Sequence, residues 1–187
     1  MTAQVNDKLI YNGQEFNLAV EPLYQYLKKK KIKFIAPDTA CWRGYYGSWT
    51  IENDKLYLTE LTAYVRKHKD KSPYFDRIEV GLECLFPNQE KVFADWFSGE
   101  LRIPYGEMIR YVHQGYASIY EKELFIKIKS GRIVSSKEID NTHLYGNQEA
   151  LKEKELDGII EYVLGKRLKK KKSWYNRIID KFRSIFN

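Results

Sequence analysis

The sequence predicts an α+β fold: a predominantly antiparallel β-sheet, built as a sandwich or partly closed barrel, with one short N-terminal helix and two C-terminal helices. Three observations carry this. Two-residue turn dipeptides recur between runs of alternating apolar and polar residues. Aromatic residues reach 15%, with 15 Tyr, and such residues suit pleated, half-buried surfaces. Beyond Asp140 the apolar period lengthens from two residues to a helical one. Strands followed by helices is the order of an α+β domain.

Leu9-Ile10-Tyr11, Asn12-Gly13 and Glu15 to Leu18 read as a hairpin, because Asn-Gly accepts the two positive φ values of a type I′ turn. Glu21-Pro22 opens a short helix through Lys30, with proline in the first turn and Leu23, Tyr24 and Leu27 on one side. Trp49 and Ile51, then Leu56 and Leu58, alternate with polar residues across Asn53-Asp54 and form a second hairpin, with strand character continuing to Val65. Arg77 to Phe86 is expected to be another strand, ended by Pro87-Asn88. From Val92 to Glu121 the reading is strand, turn, strand, turn, strand, with turns at Ser98-Gly99 and Pro104-Tyr105-Gly106. A third hairpin places Leu124, Ile126 and Ile128 across Ser130-Gly131 from Ile133-Val134. Asn147 is the expected cap of a helix running to Leu168, and residues 173–186 form a second one.

A length of 187 residues suits one domain, placed at residues 1–165, with residues 166–187 as a basic amphipathic tail. The net charge is +7, but the tail holds nine Lys and Arg against one Asp, so the body is near neutral at −1. That balance disfavours nucleic acid as a partner of the body and directs any anionic surface to the tail. The N-terminal residues lack the apolar run of an export signal, and no window is apolar enough to span a bilayer, so the expectation is cytoplasmic. Cys41 and Cys84 lie in no metal or redox motif and read as reduced, buried thiols.

Candidate catalytic chemistry is sparse. His113 could act as a general base if folding brought Asp95, Glu107 or Glu121 to it, which is the route to a small hydrolase or transferase. His68, His113 and His143 share no ligand spacing, so no metal is expected, and no glycine pattern points to a cofactor. Trp42, Arg43, Trp96, Arg102 and Tyr116 are the candidates for a partner-binding surface, since Trp, Tyr and Arg dominate binding hot spots, with Arg43 expected to be partly exposed. The tryptophans could equally fill the core.

In the tail, Trp174, Ile178, Phe182 and Ile185 share one helical face, and Lys169, Lys170, Lys171 and Lys172 precede it. That face suits burial on the protein's own body, docking on a protein or nucleic-acid partner or on a second copy of the chain, or contact with an anionic leaflet, which would make the protein peripheral on the inner face of the membrane.

Ala40, Trp42-Arg43-Gly44-Tyr45, Lys55 to Leu58, Val92 to Gly99, Leu101 to Pro104, Tyr111-Val112-His113 with Gly115-Tyr116, and Tyr120-Glu121 together resemble a family of small bacterial proteins found in the gene neighbourhoods of polymorphic or contact-dependent toxins. The resemblance covers residues 8–135 and carries no catalytic residue. It implies an immunity-like role, binding and neutralising a cognate toxin. The resulting expectation is a non-enzymatic binding protein that engages a protein partner, with the His113 enzyme as its rival.

Overall fold

The computed structural model describes residues 2–68 and 76–168. Among them run β1 (Asp7–Tyr11), β2 (Gln14–Leu18), α1 (Leu23–Lys30), β3 (Tyr45–Glu52), β4 (Lys55–Arg66), β5 (Arg77–Val80), β6 (Val92–Phe93), β7 (Gly99–Arg110), β8 (Ile119–Lys129), β9 (Arg132–Asp140) and α2 (Gln148–Leu168). The strands form one mixed, mostly antiparallel sheet in the order β2-β1-β3-β4-β9-β8-β7, with β5 and β6 added to β4. It is an open sheet, neither a sandwich nor a closed barrel, although its ends approach: Ala19 N–H, just past β2, donates to Arg102 O of β7 at 2.8 Å.

The three hairpins form where the turn dipeptides predict. Asn12 and Gly13, Asn53 and Asp54, and Ser130 and Gly131 all have positive φ, as type I′ turns require. The first two hairpins then lie side by side with β1 parallel to β3, pairing Leu9 with Trp49. Among the strands named above this is the departure from antiparallel pairing, and it follows from joining two hairpins through a helix rather than a tight turn.

Alternation sets the faces. Leu124, Ile126 and Ile128 of β8 pack in the main core with Leu9, Trp49, Leu56, Leu58, Leu101 and Ile103, which Leu23 and Leu27 of α1 join. Glu123 is in the opposite phase of the same strand and is buried too. A second cluster of Ile119, Leu144 and Leu151 includes α2. That helix is capped as expected, since Asn147 Oδ1 accepts from Ala150 N–H at 3.1 Å.

Several expectations are corrected. Pro104-Tyr105-Gly106 is no turn but lies inside the twelve-residue β7, where the register shifts after Tyr105. Gly106, at φ 79°, supplies a bulge instead, the other use of a positive-φ glycine. Pro104 is tolerated because its missing N–H would face the outer edge of β7, the side on which Arg102 O meets Ala19. Residues 111–118 form a loop before β8, not a strand. The expected strand from Arg77 to Phe86 stops at Val80 and becomes a 3₁₀ turn over Leu82–Cys84 that buries Leu82. β9 runs on well past Val134, because β8 offers it a full ladder although its own residues are too polar to signal a strand. Cys41 is buried as expected and Cys84 is exposed; both are free thiols.

The first turn gives a clean test. A Cβ at Gly13 would meet nothing within 4 Å, so substitution there acts through φ alone. Gly13→Val should destabilise the protein by about 1–2 kcal/mol, read as a lower melting midpoint. An unchanged midpoint would show that the turn tolerates an L residue and is not type I′.

Candidate functional site

Three of the residues singled out by chemistry, Arg43, Arg102 and Tyr116, converge on two ion-pair networks. The first is built on Asp7, which shares the inward phase of β1 with Leu9. Its Oδ1 accepts from Arg43 Nη2 at 2.8 Å and from Gly47 N–H at 3.0 Å, and its Oδ2 accepts from Trp49 Nε1 at 3.0 Å. Both side chains are almost fully enclosed, 3% exposed for Arg43 and 0% for Asp7. Burial pushes the Asp7 carboxyl above its ordinary range, against the pull of Arg43, Trp49 and Gly47. Each group bonded to it, Arg43 Nη2, Gly47 N–H and Trp49 Nε1, is a donor with no lone pair to accept a carboxyl proton, so the anion is the form this pocket holds.

Arg43 reaches further. Its Nη1 donates to Val5 O at 2.6 Å and to Tyr116 Oη at 2.8 Å, and that hydroxyl donates to Glu21 Oε1 at 3.3 Å. Burial drives the Tyr116 hydroxyl well above its usual range, and the neighbouring Glu21 and Asp7 carboxylates add to that, so it stays protonated. The Tyr116 ring meets Tyr162 of α2 edge-on, with centroids 5.8 Å apart.

The second network begins at the backbone of the same residue. Arg102 Nη1 donates to Tyr116 O at 2.7 Å, while its Nε donates to Glu123 Oε1 at 2.6 Å. Glu123 Oε2 takes Lys154 Nζ of α2 at 2.7 Å and Asn141 Nδ2 at 3.1 Å. Burial alone would raise the Glu123 carboxyl, but Arg102, Lys154 and Asn141 outweigh it and hold it below the ordinary value of 4.5. Tyr116 thus joins the two networks, by its hydroxyl to Arg43 and by its carbonyl to Arg102.

Arg43, Arg102 and Tyr116, expected on a binding surface, are therefore brought together under the surface. Arg43 is of intermediate exposure as a residue, but its side chain is turned inward, because the buried Asp7 carboxylate draws the guanidinium in. Trp42 stays outside at 51% exposure, its N–H bound by Gln4 Oε1 at 2.9 Å. Trp96 lies apart from this group: it stacks on Phe86 at 5.5 Å and donates to Pro22 O at 3.3 Å, fastening α1 to the sheet.

His113 is exposed, and Tyr111 Oη lies 2.9 Å from its Nδ1. Of its proposed carboxylates, Glu121 instead accepts from Glu107 N–H and Tyr145 Oη, each at 3.0 Å, and Asp95 is exposed in the loop after β6. Among the described residues the hydrogen-bond partner of the His113 ring is thus a tyrosine hydroxyl and not a carboxylate. No group of His, Cys, Asp and Glu that could hold a metal occurs among the described residues either, and none of their helices is long and apolar enough to cross a membrane. The tail residues Lys169 to Lys172, Trp174, Ile178, Phe182 and Ile185 lie outside the described residues.

With known proteins the chain shares no match: no protein family, no curated protein and no solved structure is similar to it.

Asp7, Gln4, Glu21, Glu123, Asn141 and Lys154 escaped the sequence reading. A charged residue in the inward phase of a strand was the available signal for Asp7. Glu123 has no comparable signal, because it sits opposite the core-facing residues of β8, where a charge is ordinary.

Glu123 yields a pH prediction. Its folded value is lowered, so its contribution to stability is complete above about 4.5 and is lost as pH falls through the folded value. Glu123→Gln leaves Arg102 and Lys154 without their carboxylate and should cost about 3–5 kcal/mol near neutral pH. The gap between wild type and variant in urea unfolding should narrow as pH falls below about 4.5. A gap that stays constant down to acid pH would mean that Glu123 is not held as an anion.

Proposed function

We propose that this is a non-enzymatic binding protein that engages a protein partner through the surface around Trp42, in an immunity-like role. The supporting observation is a large exposed ring on a backbone held by hydrogen bonds from both sides. Trp42 occupies tight turns in which Cys41 N–H bonds Asp38 O at 3.4 Å and Gly44 N–H bonds Cys41 O at 3.1 Å. Gln4, itself buried, clamps that segment from beside it, with Nε2 on Thr39 O at 3.0 Å and Oε1 on the Trp42 N–H. The next residue, Arg43, is fixed by Asp7. An anchor held in place before binding loses little entropy on binding, which is what distinguishes a hot spot from an incidental exposed ring.

Val5 extends this surface. It is 46% exposed and is tied to the Trp42 segment by its N–H on Ala40 O at 2.9 Å. Beneath, the Asp7 and Glu123 carboxylates are fully engaged by donors of the same chain, an arrangement that suits a rigid support better than proton transfer. The resemblance to proteins encoded beside toxins supplies the class of partner, a cognate toxin that is bound and neutralised.

Affinity capture from the native host, with wild type and Trp42→Ala as paired baits and titration of whatever is recovered, tests the reading. Trp42→Ala should weaken binding by about 2 kcal/mol or more, while unfolding shifts by no more than about 0.5 kcal/mol, as for a surface residue. Equal recovery by both baits, or recovery of no protein by wild type, would overturn it.

A further inference from the structure

The outer edge of β9 is open beyond its first residues, on elements separate from Trp42. β9 is bonded to β8 along its length but reaches β4 only at its start, where Arg132 pairs with Lys55 and Ile133 N–H donates to Asp54 O at 2.9 Å. Asn141 N–H donates to Glu121 O at 2.7 Å, which fixes the alternation of an antiparallel pair. Ser135, Lys137 and Ile139 turn their backbone groups to β8, and Ser136, Glu138 and Asp140 turn theirs outward. Asp140 O is taken by the His143 ring at 3.1 Å. The N–H and C=O of Ser136 and Glu138 have no backbone partner among the described residues. Residues 134–138 are all exposed, and the ladder from Ser135 to Asp140 is regular, with the bulge confined to Val134.

The edge is poorly suited to a second copy of itself. Antiparallel pairing about a two-fold axis must set outward-facing residues against outward-facing ones. Centred on Lys137, it opposes Lys137 to Lys137; centred on Glu138, it opposes Glu138 to Glu138, and like charges directly opposite are unfavourable. Centred on Ser136, it requires Val134, which sits in the bulge.

We propose that this edge accepts an extended segment of another protein by strand addition, with Lys or Arg at alternate positions of that segment facing Glu138 and Asp140. Ser136 and Glu138 supply the backbone bonds; Asp140 Oδ1 already accepts from Thr142 N–H and Oγ1 at 2.8 and 2.6 Å, and Lys122 Nζ stands 4.0 Å from Glu138 Oε1, so the peptide's cations add to carboxylates that keep further lone pairs. A basic, β-competent peptide is the complement of this edge.

The probe is a short capped peptide alternating lysine and threonine, titrated against the full chain by fluorescence anisotropy. Wild type should bind it. Ser136→Pro removes an outward N–H without touching the β8 ladder, and should weaken binding about tenfold, the worth of one net hydrogen bond. Glu138→Lys should weaken it as well, and so should N-methylation of alternate peptide amides, which keeps the test intact if the proline variant fails to fold. Trp42→Ala should bind the peptide like wild type, so failure here and failure of the Trp42 surface are distinguishable. The proposal is overturned by absence of binding to wild type, or by equal binding of Glu138→Lys and of the methylated peptide. Self-association of the chain through β9, abolished by Ser136→Pro, would overturn it equally by assigning the edge to a second copy.

Discussion

The buried pair of Asp7 and Arg43 is the constraint on which the candidate surface depends. Taking both charges out of water costs several kcal/mol for each ion, which only close contact and filled hydrogen bonds offset. Four residues from three places supply those bonds, Gly47 and Trp49 on β3, Val5 before β1 and Tyr116 in the loop before β8, while Arg43 Nε is buried without a hydrogen-bond partner among the described residues. A displacement of any of them would leave a charge or donor unmatched inside the protein. The pair therefore contributes less to net stability than to the uniqueness of the arrangement around it.

Tyr116 carries that constraint across the molecule. Its hydroxyl belongs to the Arg43 network and its carbonyl to the Arg102 network, which Lys154 extends to α2. Ala3 also bridges to Gly115 beside it. The N-terminal segment, the loop over residues 111–118 and α2 are thus held by one continuous set of polar bonds, although they are far apart in sequence. Trp42 stands at the outer end of this set, and so presents its indole from a backbone tied by hydrogen bonds to Gln4 and to its own turns.

What was legible in the sequence was local. Asn12-Gly13, Asn53-Asp54 and Ser130-Gly131 marked their hairpins because φ is a property of two residues, and Asn147 marked its helix because capping spans three. Pro104 and Gly106 misled, since a proline on an outer edge and a glycine in a bulge look the same in sequence as a turn. β9 was underestimated because its pairing comes from β8 and not from its own side chains. The candidate site was half visible: Arg43, Arg102 and Tyr116 stood out by type, but the carboxylates that bury the two arginines did not. Whether an arginine faces solvent or a buried aspartate is decided by a residue 36 positions away, and no spacing rule reaches that far.

The most direct measurement is a double-mutant cycle on the Asp7 and Arg43 pair, using Asp7→Ala, Arg43→Met and the double variant in equilibrium unfolding. Each single change leaves one buried charge alone and should cost about 3–5 kcal/mol. The double variant should cost less than the two together by at least about 2 kcal/mol, as expected for residues in one network. Costs that simply add would contradict the central claim, because they would mean that the two charges do not depend on each other in the folded protein.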